Sequence, residues 1–181
     1  MTEPARIPSS GRVREVGVLG WLYCRLAARN QRVRETHVFT TLAVHKRVFW
    51  PWLSLAGVLL GFGKLPKRDT ELVILRVGHL RRSQYELQHH RRIAKRRGVD
   101  AETQAKIFEG TDAEGLTDRQ RALLAATDEL IDSRTLSPET WQALSRHLDR
   151  KQLIEFVMLA GQYDALAATL DALRVPLDLP R

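Results

Sequence analysis

The stretch from Pro66 to Leu80 constrains this chain more than any other. Proline suits the first position of a helix, where its missing N–H would have no intrahelical partner anyway. Leu72, Val73, Ile74, Leu75, Val77 and Leu80 then surround the helical axis. A helix apolar on all sides belongs in a core, covered by other elements on every face. Glu71 lies in the middle of it. A carboxylate in that setting must be paired, protonated or put to chemical use.

A helix of this kind needs several others around it, and the rest of the chain supplies them. Alternating β-branched runs are almost absent, and Gly and Pro fall between helical patterns. The spacing predicts helices over about 12–28, over 37–49 behind Thr36 as a cap, and over 51–62. The Pro66 helix is predicted to end near 79, and the next to run from Ser83, as its cap, to Gly98. Further helices follow Asp100, span 117–131, open at Ser137-Pro138-Glu139, and run from 149 to 173 before Pro176. In the last of these, Leu153, Ile154, Phe156, Val157, Met158 and Leu159 form a nearly continuous apolar run. That run predicts packing on several sides, in the core or across a subunit interface. The expected fold class is all-α, a single-domain helical bundle.

With 181 residues the chain is long enough for one full hydrophobic core. Its one cysteine, Cys24, excludes an intramolecular disulfide and a cysteine-rich metal site, and it favours a reducing, cytoplasmic setting. The apolar segment from Val16 to Cys24 imitates the core of a signal peptide, but Glu15 and Arg25 bound it closely and its period is helical. The longest uncharged stretch, Val48 to Gly63, falls short of the roughly 20 residues a spanning helix needs, so no membrane partner is expected. Net charge is +8, unevenly placed: residues 1–97 hold 20 Lys and Arg against 6 Asp and Glu, residues 98–181 hold 9 against 15. Such asymmetry fits nucleic-acid binding, or complementary surfaces within one fold or oligomer.

Chemistry concentrates on the helix after Ser83. Ser83, Glu86 and His90 follow one another at steps of three and four residues and so share one stripe. Two carboxylates, Glu71 and Glu86, with an imidazole make a general acid/base set. The plainer reading of Glu86 and His90 is a surface ion pair, and of Ser83 a helix cap. His37, His45, His79 and His147 are dispersed without metal spacing. His89 and His90 point about 100° apart on a helix, which argues against a metal site. No metal and no cofactor are expected.

The run from Leu65 to Val77, followed by Tyr85-Glu86-Leu-Gln-His89-His90, resembles the signature of the carboxymuconolactone decarboxylase and alkylhydroperoxidase D superfamily. That motif has Glu, eleven residues, Cys, two residues, Cys, three residues, His. Glu71, Ser83, Glu86 and His90 match it at every step, with both cysteines replaced. The decarboxylase branch likewise carries a Glu four residues before the His. The resemblance continues through Leu116 to Leu124, Asp128-Glu129-Leu, and Gly161-Gln-Tyr163 to Asp178, and so covers roughly residues 36–178. It implies a helical bundle of the alkylhydroperoxidase D-like type over 36–181, with 1–35 as an N-terminal helical extension.

The resemblance also implies a function. Without the two motif cysteines, two-cysteine peroxidase chemistry is not expected. The decarboxylase branch implies a cofactor-free acid/base enzyme, a decarboxylase or isomerase acting on a small unsaturated or lactone carboxylic acid. His90 is the implied proton donor or shuttle, oriented by Glu71 or Glu86. Arg76 or Arg82 is expected to hold the substrate carboxylate, with Ser83 alongside. A homo-oligomer, trimer or hexamer, is the expected assembly. The runner-up is a non-catalytic ligand-binding or scaffold member of the same fold. A remote third is a nucleic-acid binder using Arg81, Arg82, Arg91, Arg92, Lys95, Arg96 and Arg97, although no aromatic residues interleave with that basic run.

Overall fold

The computed structural model describes residues 4–180. Nine α-helices follow one another among these residues, with no β-strand beyond an isolated bridge. The chain packs as two compact units: Val58–Ala167, and the residues up to Gly57 joined by those from Ala168 on. The division expected from the resemblance fell after residue 35; packing divides the chain after Gly57 and again after Ala167.

Helix α4 (Lys67–Leu80) is the axis of the Val58–Ala167 unit, and every residue from Asp69 to Gly78 is buried. Helices α5 (Gln84–Arg96), α6 (Ala101–Glu109) and α7 (Asp118–Ser133) pack on it. Its buried charged residues are matched in turn. Asp69 pairs with Arg119 at 2.7 Å, and Arg76 grips Asp128 through two nitrogens. Arg81, at the end of the helix, pairs with Asp164. Buried charges persist only when paired and hydrogen-bonded, and these pairs also fix how the neighbouring helices sit on α4. Gly110 serves the same network. It has φ 110° and lets Arg76 approach so closely that a Cβ there would lie 2.9 Å from a guanidinium nitrogen.

Three caps follow the sequence signals, while Thr36, expected to cap the helix that begins at His37, makes no side-chain capping bond. Asp100 accepts from the Thr103 N–H at the start of α6, and Thr117 with Gln120 forms a full capping box on α7. Ser137 accepts from the Thr140 N–H ahead of α8 (Pro138–Ser145). Helix α9 (Arg150–Leu173) is long and apolar enough to cross a membrane. Within the Val58–Ala167 unit, however, its Leu153, Phe156, Leu159, Ala160 and Tyr163 are buried.

The other unit holds α1 (Val13–Gln31), α2 (His37–Leu42) and α3 (Lys46–Gly57). Gly17, at φ 77°, interrupts α1. The helix expected over 37–49 is broken at residues 43–45, and α3 runs through Pro51 instead of starting there. The physical reason is aromatic packing. Phe49, 1% exposed, meets Tyr23, Phe39 and Trp52 with ring centroids 6.0 to 6.4 Å apart. Burying these rings offsets the hydrogen bond lost at proline, since tertiary packing routinely overrides local preference.

The C-terminal tail closes on this unit. Arg34 N–H donates to the Leu179 carbonyl, Val33 bridges Pro180, and Asp178 accepts from His37 N–H at 2.9 Å and from Nδ1 at 2.8 Å. The Asp178 bond raises the His37 pKa above 6.5; burial opposes this and Glu35 adds to it. In the unfolded chain the ring titrates near ~6.5. Its contribution is therefore complete below that value and is lost as pH rises through the folded-state value. Thermal melts should show Asp178→Asn costing more near pH ~5.5 than near pH ~9, on either side of that range. An equal cost at both would dismiss the charged form of His37 as a contributor.

Candidate functional site

Glu71 reaches the second turn of α4 with no exposed surface. Both of its oxygens are engaged. Oε1 accepts from Arg97 Nη1 at 2.9 Å, and Oε2 lies 2.9 Å from His90 Nδ1. Arg97 stands at the C-terminal end of α5, and its Nη2 also donates to the Leu60 carbonyl at 3.1 Å. Leu60 belongs to a π-helical turn, Val58–Phe62, that precedes α4. On the far side of the imidazole, His90 Nε2 lies 3.1 Å from the Tyr163 hydroxyl of α9. The two rings meet edge-on, 87° apart in plane.

Four groups thus form one line, a partly exposed guanidinium followed by a buried carboxylate, imidazole and phenol. A carboxylate has only acceptors, so the proton between Glu71 and His90 sits on Nδ1. Nε2 then accepts from the Tyr163 hydroxyl in the neutral ring, and donates to it in the imidazolium. Burial holds the Tyr163 pKa far above that of a free phenol, and the charges of Glu71 and Glu86 push it further up while Arg97 opposes them. Tyr163 is therefore a neutral donor at physiological pH. The set can fix one tautomer of His90 and pass a proton along its Nε2 side.

The remaining expected site residues divide. Glu86 is 3% exposed on α5, one turn before His90, and its charge is felt at Tyr163. Ser83 is also buried and occupies the cap position of α5, but its hydroxyl makes no capping bond. Its Oγ has no hydrogen-bond partner among the described residues. The cap reading of Ser83 is corrected accordingly, and the hydroxyl is left beside the relay's own helix. Arg76 is committed to Asp128 and to the carbonyls of Ile107 and Phe108. Arg82 is exposed in the α4–α5 turn, at φ 54°. Neither arginine joins the relay.

Arg97, expected on a basic surface, is the cation that does join it, and Tyr163 was not singled out as a site residue. A signal for Arg97 existed, because it lies seven residues beyond His90 and so on the same stripe. Arg81 likewise leaves the supposed basic face for Asp164. His89 is buried too, its ring 5.0 Å from that of Tyr85, so turning away from His90 does not expose it. Among the described residues, no group of three or more His, Cys, Asp or Glu could hold a metal ion.

An all-helical unit built on a buried Glu–His pair, with the motif spacing between them, is an alkylhydroperoxidase D-like architecture. Residues 46–129 match the carboxymuconolactone decarboxylase family model, in keeping with the resemblance read from the motif. Solved structures agree on the fold. An uncharacterized peroxidase-related protein from Ralstonia eutropha JMP134, described as an alkylhydroperoxidase AhpD core, superposes with a TM-score of 0.83 at 15% identity, covering 99% of this chain and 94% of its own. A peroxidase-related protein from Silicibacter sp. TM1040 gives 0.81 at 14% identity, over 99% of this chain and 93% of its own. The debrominase Bmp8, in complex with 2,3,4-tribromopyrrole, gives 0.81 at 16% identity, over 98% and 94%. No curated protein sequence matches the chain.

Proposed function

We propose that this protein is a cofactor-free acid/base enzyme, a decarboxylase or isomerase acting on a small unsaturated or lactone carboxylic acid. The observation that carries this reading is the Arg97–Glu71–His90–Tyr163 relay, whose carboxylate, imidazole and phenol are buried. In a decarboxylation the bond to the carboxylate carbon breaks, its electron pair passes into a conjugated enolate, and a proton must arrive at carbon. His90 Nε2, with the Tyr163 hydroxyl, is the supply line for that proton; Glu71 and Arg97 keep the imidazole in place. An isomerisation uses the same line in both directions. Debrominase activity is a property of a neighbour at 16% identity, and such a likeness transfers the fold rather than the chemistry. A cytoplasmic setting belongs to this reading, in keeping with the single cysteine.

The test is turnover of unsaturated lactone acids and β-keto acids, followed by carbon dioxide release and by the shift of double-bond absorbance. Absence of turnover across both classes would leave a second reading in its place, the non-catalytic scaffold. That reading draws on the same relay, because both Glu71 oxygens and both His90 nitrogens are already satisfied within the protein, as in a clamp joining α4, α5 and α9.

A homo-oligomer is part of the proposal. Ile154, Val157 and Met158 stand at steps of three and one on α9 and are 68%, 37% and 47% exposed. A contiguous apolar face of that kind marks an association surface. Light scattering at micromolar concentration should give a trimer or hexamer, and Ile154→Asp with Met158→Asp should shift it to monomer. A monomeric wild-type protein would reject the assembly.

A further inference from the structure

The unit that holds α1 to α3 contains a cleft of its own, with a volume of about 160 Å³. Val16, Trp21 and Ala28 of α1 form an apolar wall, and Arg25, Arg34 and Glu35 supply charge. None of these residues belongs to the relay of Glu71, His90 and Tyr163.

The charges do not cancel. Glu35 is met inside the unit: Thr40 donates its hydroxyl to it at 2.6 Å, and His37 Nε2 faces it at 3.8 Å. Arg25 lies over the Trp21 ring, 4.9 Å from its centre, and has no carboxylate partner among the described residues. Arg34 uses its backbone N–H on Leu179, and its guanidinium makes no ion pair among the described residues. Two guanidiniums therefore line a cleft whose carboxylate is already occupied. A guanidinium binds a carboxylate through paired donors, and the electrostatics select an anion.

Size and lining restrict the anion further. An apolar cavity of about 150 Å³ is filled by one benzene molecule. We propose that this cleft is a second ligand site, for a monocarboxylic acid of about the size of benzoate. The carboxylate lies on Arg34 and Arg25, and the apolar body rests against Val16, Trp21 and Ala28. The proposal is independent of the reading of the relay.

The experiment is titration of the full-length protein with benzoate, followed by calorimetry and by the NMR signal of the Trp21 indole N–H, assigned through Trp21→Phe. The expected result is saturable binding with a Kd of about 1 mM or tighter, carried by a shift of the Trp21 signal. Arg34→Gln and Arg25→Gln should each raise that Kd about tenfold, the effect of losing about 1.4 kcal/mol. His90→Gln should leave it unchanged. Benzyl alcohol, which has the body without the charge, should bind as weakly as benzoate does to the arginine variants. An unmoved Trp21 signal, an unchanged Kd in Arg34→Gln, loss of binding in His90→Gln, or tighter binding of the cation benzamidine would each overturn the proposal.

Discussion

Replacing His90 by alanine should lower the rate on a confirmed substrate by about 10²–10⁴-fold, the usual share of a positioned acid or base. Stability will fall as well, because the variant leaves the buried Glu71 Oε2 and Tyr163 hydroxyl without a partner. Each such loss costs about 1–3 kcal/mol. The two effects are separated by His90→Gln, whose amide can hydrogen-bond but cannot carry a proton at neutral pH. Denaturant unfolding of His90→Gln should recover much of the lost stability, while its rate stays as low as that of the alanine variant. Full activity in His90→Gln would make the imidazole a structural clamp and hand the protein to the scaffold reading. His89→Ala should leave the rate near that of wild type. It will still cost stability, because His89, although turned about 100° from His90, is buried against Tyr85.

Arg97→Met should be the most destabilising single change at the site, by about 3–5 kcal/mol, the cost of leaving a buried charge without its partner. Glu71 has no exposed surface, and His90 Nδ1 alone would remain on its carboxylate. Arg97 itself is only 25% exposed, which keeps screening modest. The Leu60 carbonyl loses a donor in the same variant. Urea unfolding would read this as a lower midpoint at an unchanged slope. The double variant Arg97→Met with Glu71→Gln removes the charge as well as its partner and should recover more than half of the loss. A double variant no more stable than Arg97→Met would mean that Arg97 acts through packing alone, with no coupling to Glu71.

Much of the fold was legible because its signals are local. The capping box at Thr117 and Gln120, the Asp100 and Ser137 caps, and the close of α5 before Gly98 all stand within a few residues of what they control. The burial of α4 followed from its composition alone, and so did the demand that Glu71 find a partner. The Glu86–His90 stripe came from helical spacing. Errors arose where a contact distant in sequence outweighed the local pattern. Phe49 and its aromatic neighbours carried α3 through Pro51, and Asp128 drew Arg76 into a structural pair.

The all-helical class, the core position of α4 and the placing of Glu86 and His90 on one stripe were thus determined by the sequence by itself, while the pairing of Glu71 with His90 was implied only by the motif resemblance. Helical periodicity and the cost of burying a charge act without reference to the rest of the fold. Only the tertiary structure decided which groups would meet that pair. Tyr163 is 73 residues from His90 in the chain, and Arg97 is 26 from Glu71. No spacing rule links Tyr163 to His90 or Arg97 to Glu71, although Arg97 shares the His90 stripe of α5. Their meeting depends on how α9 and the end of α5 pack against α4, which is set by the shapes of all the side chains between them.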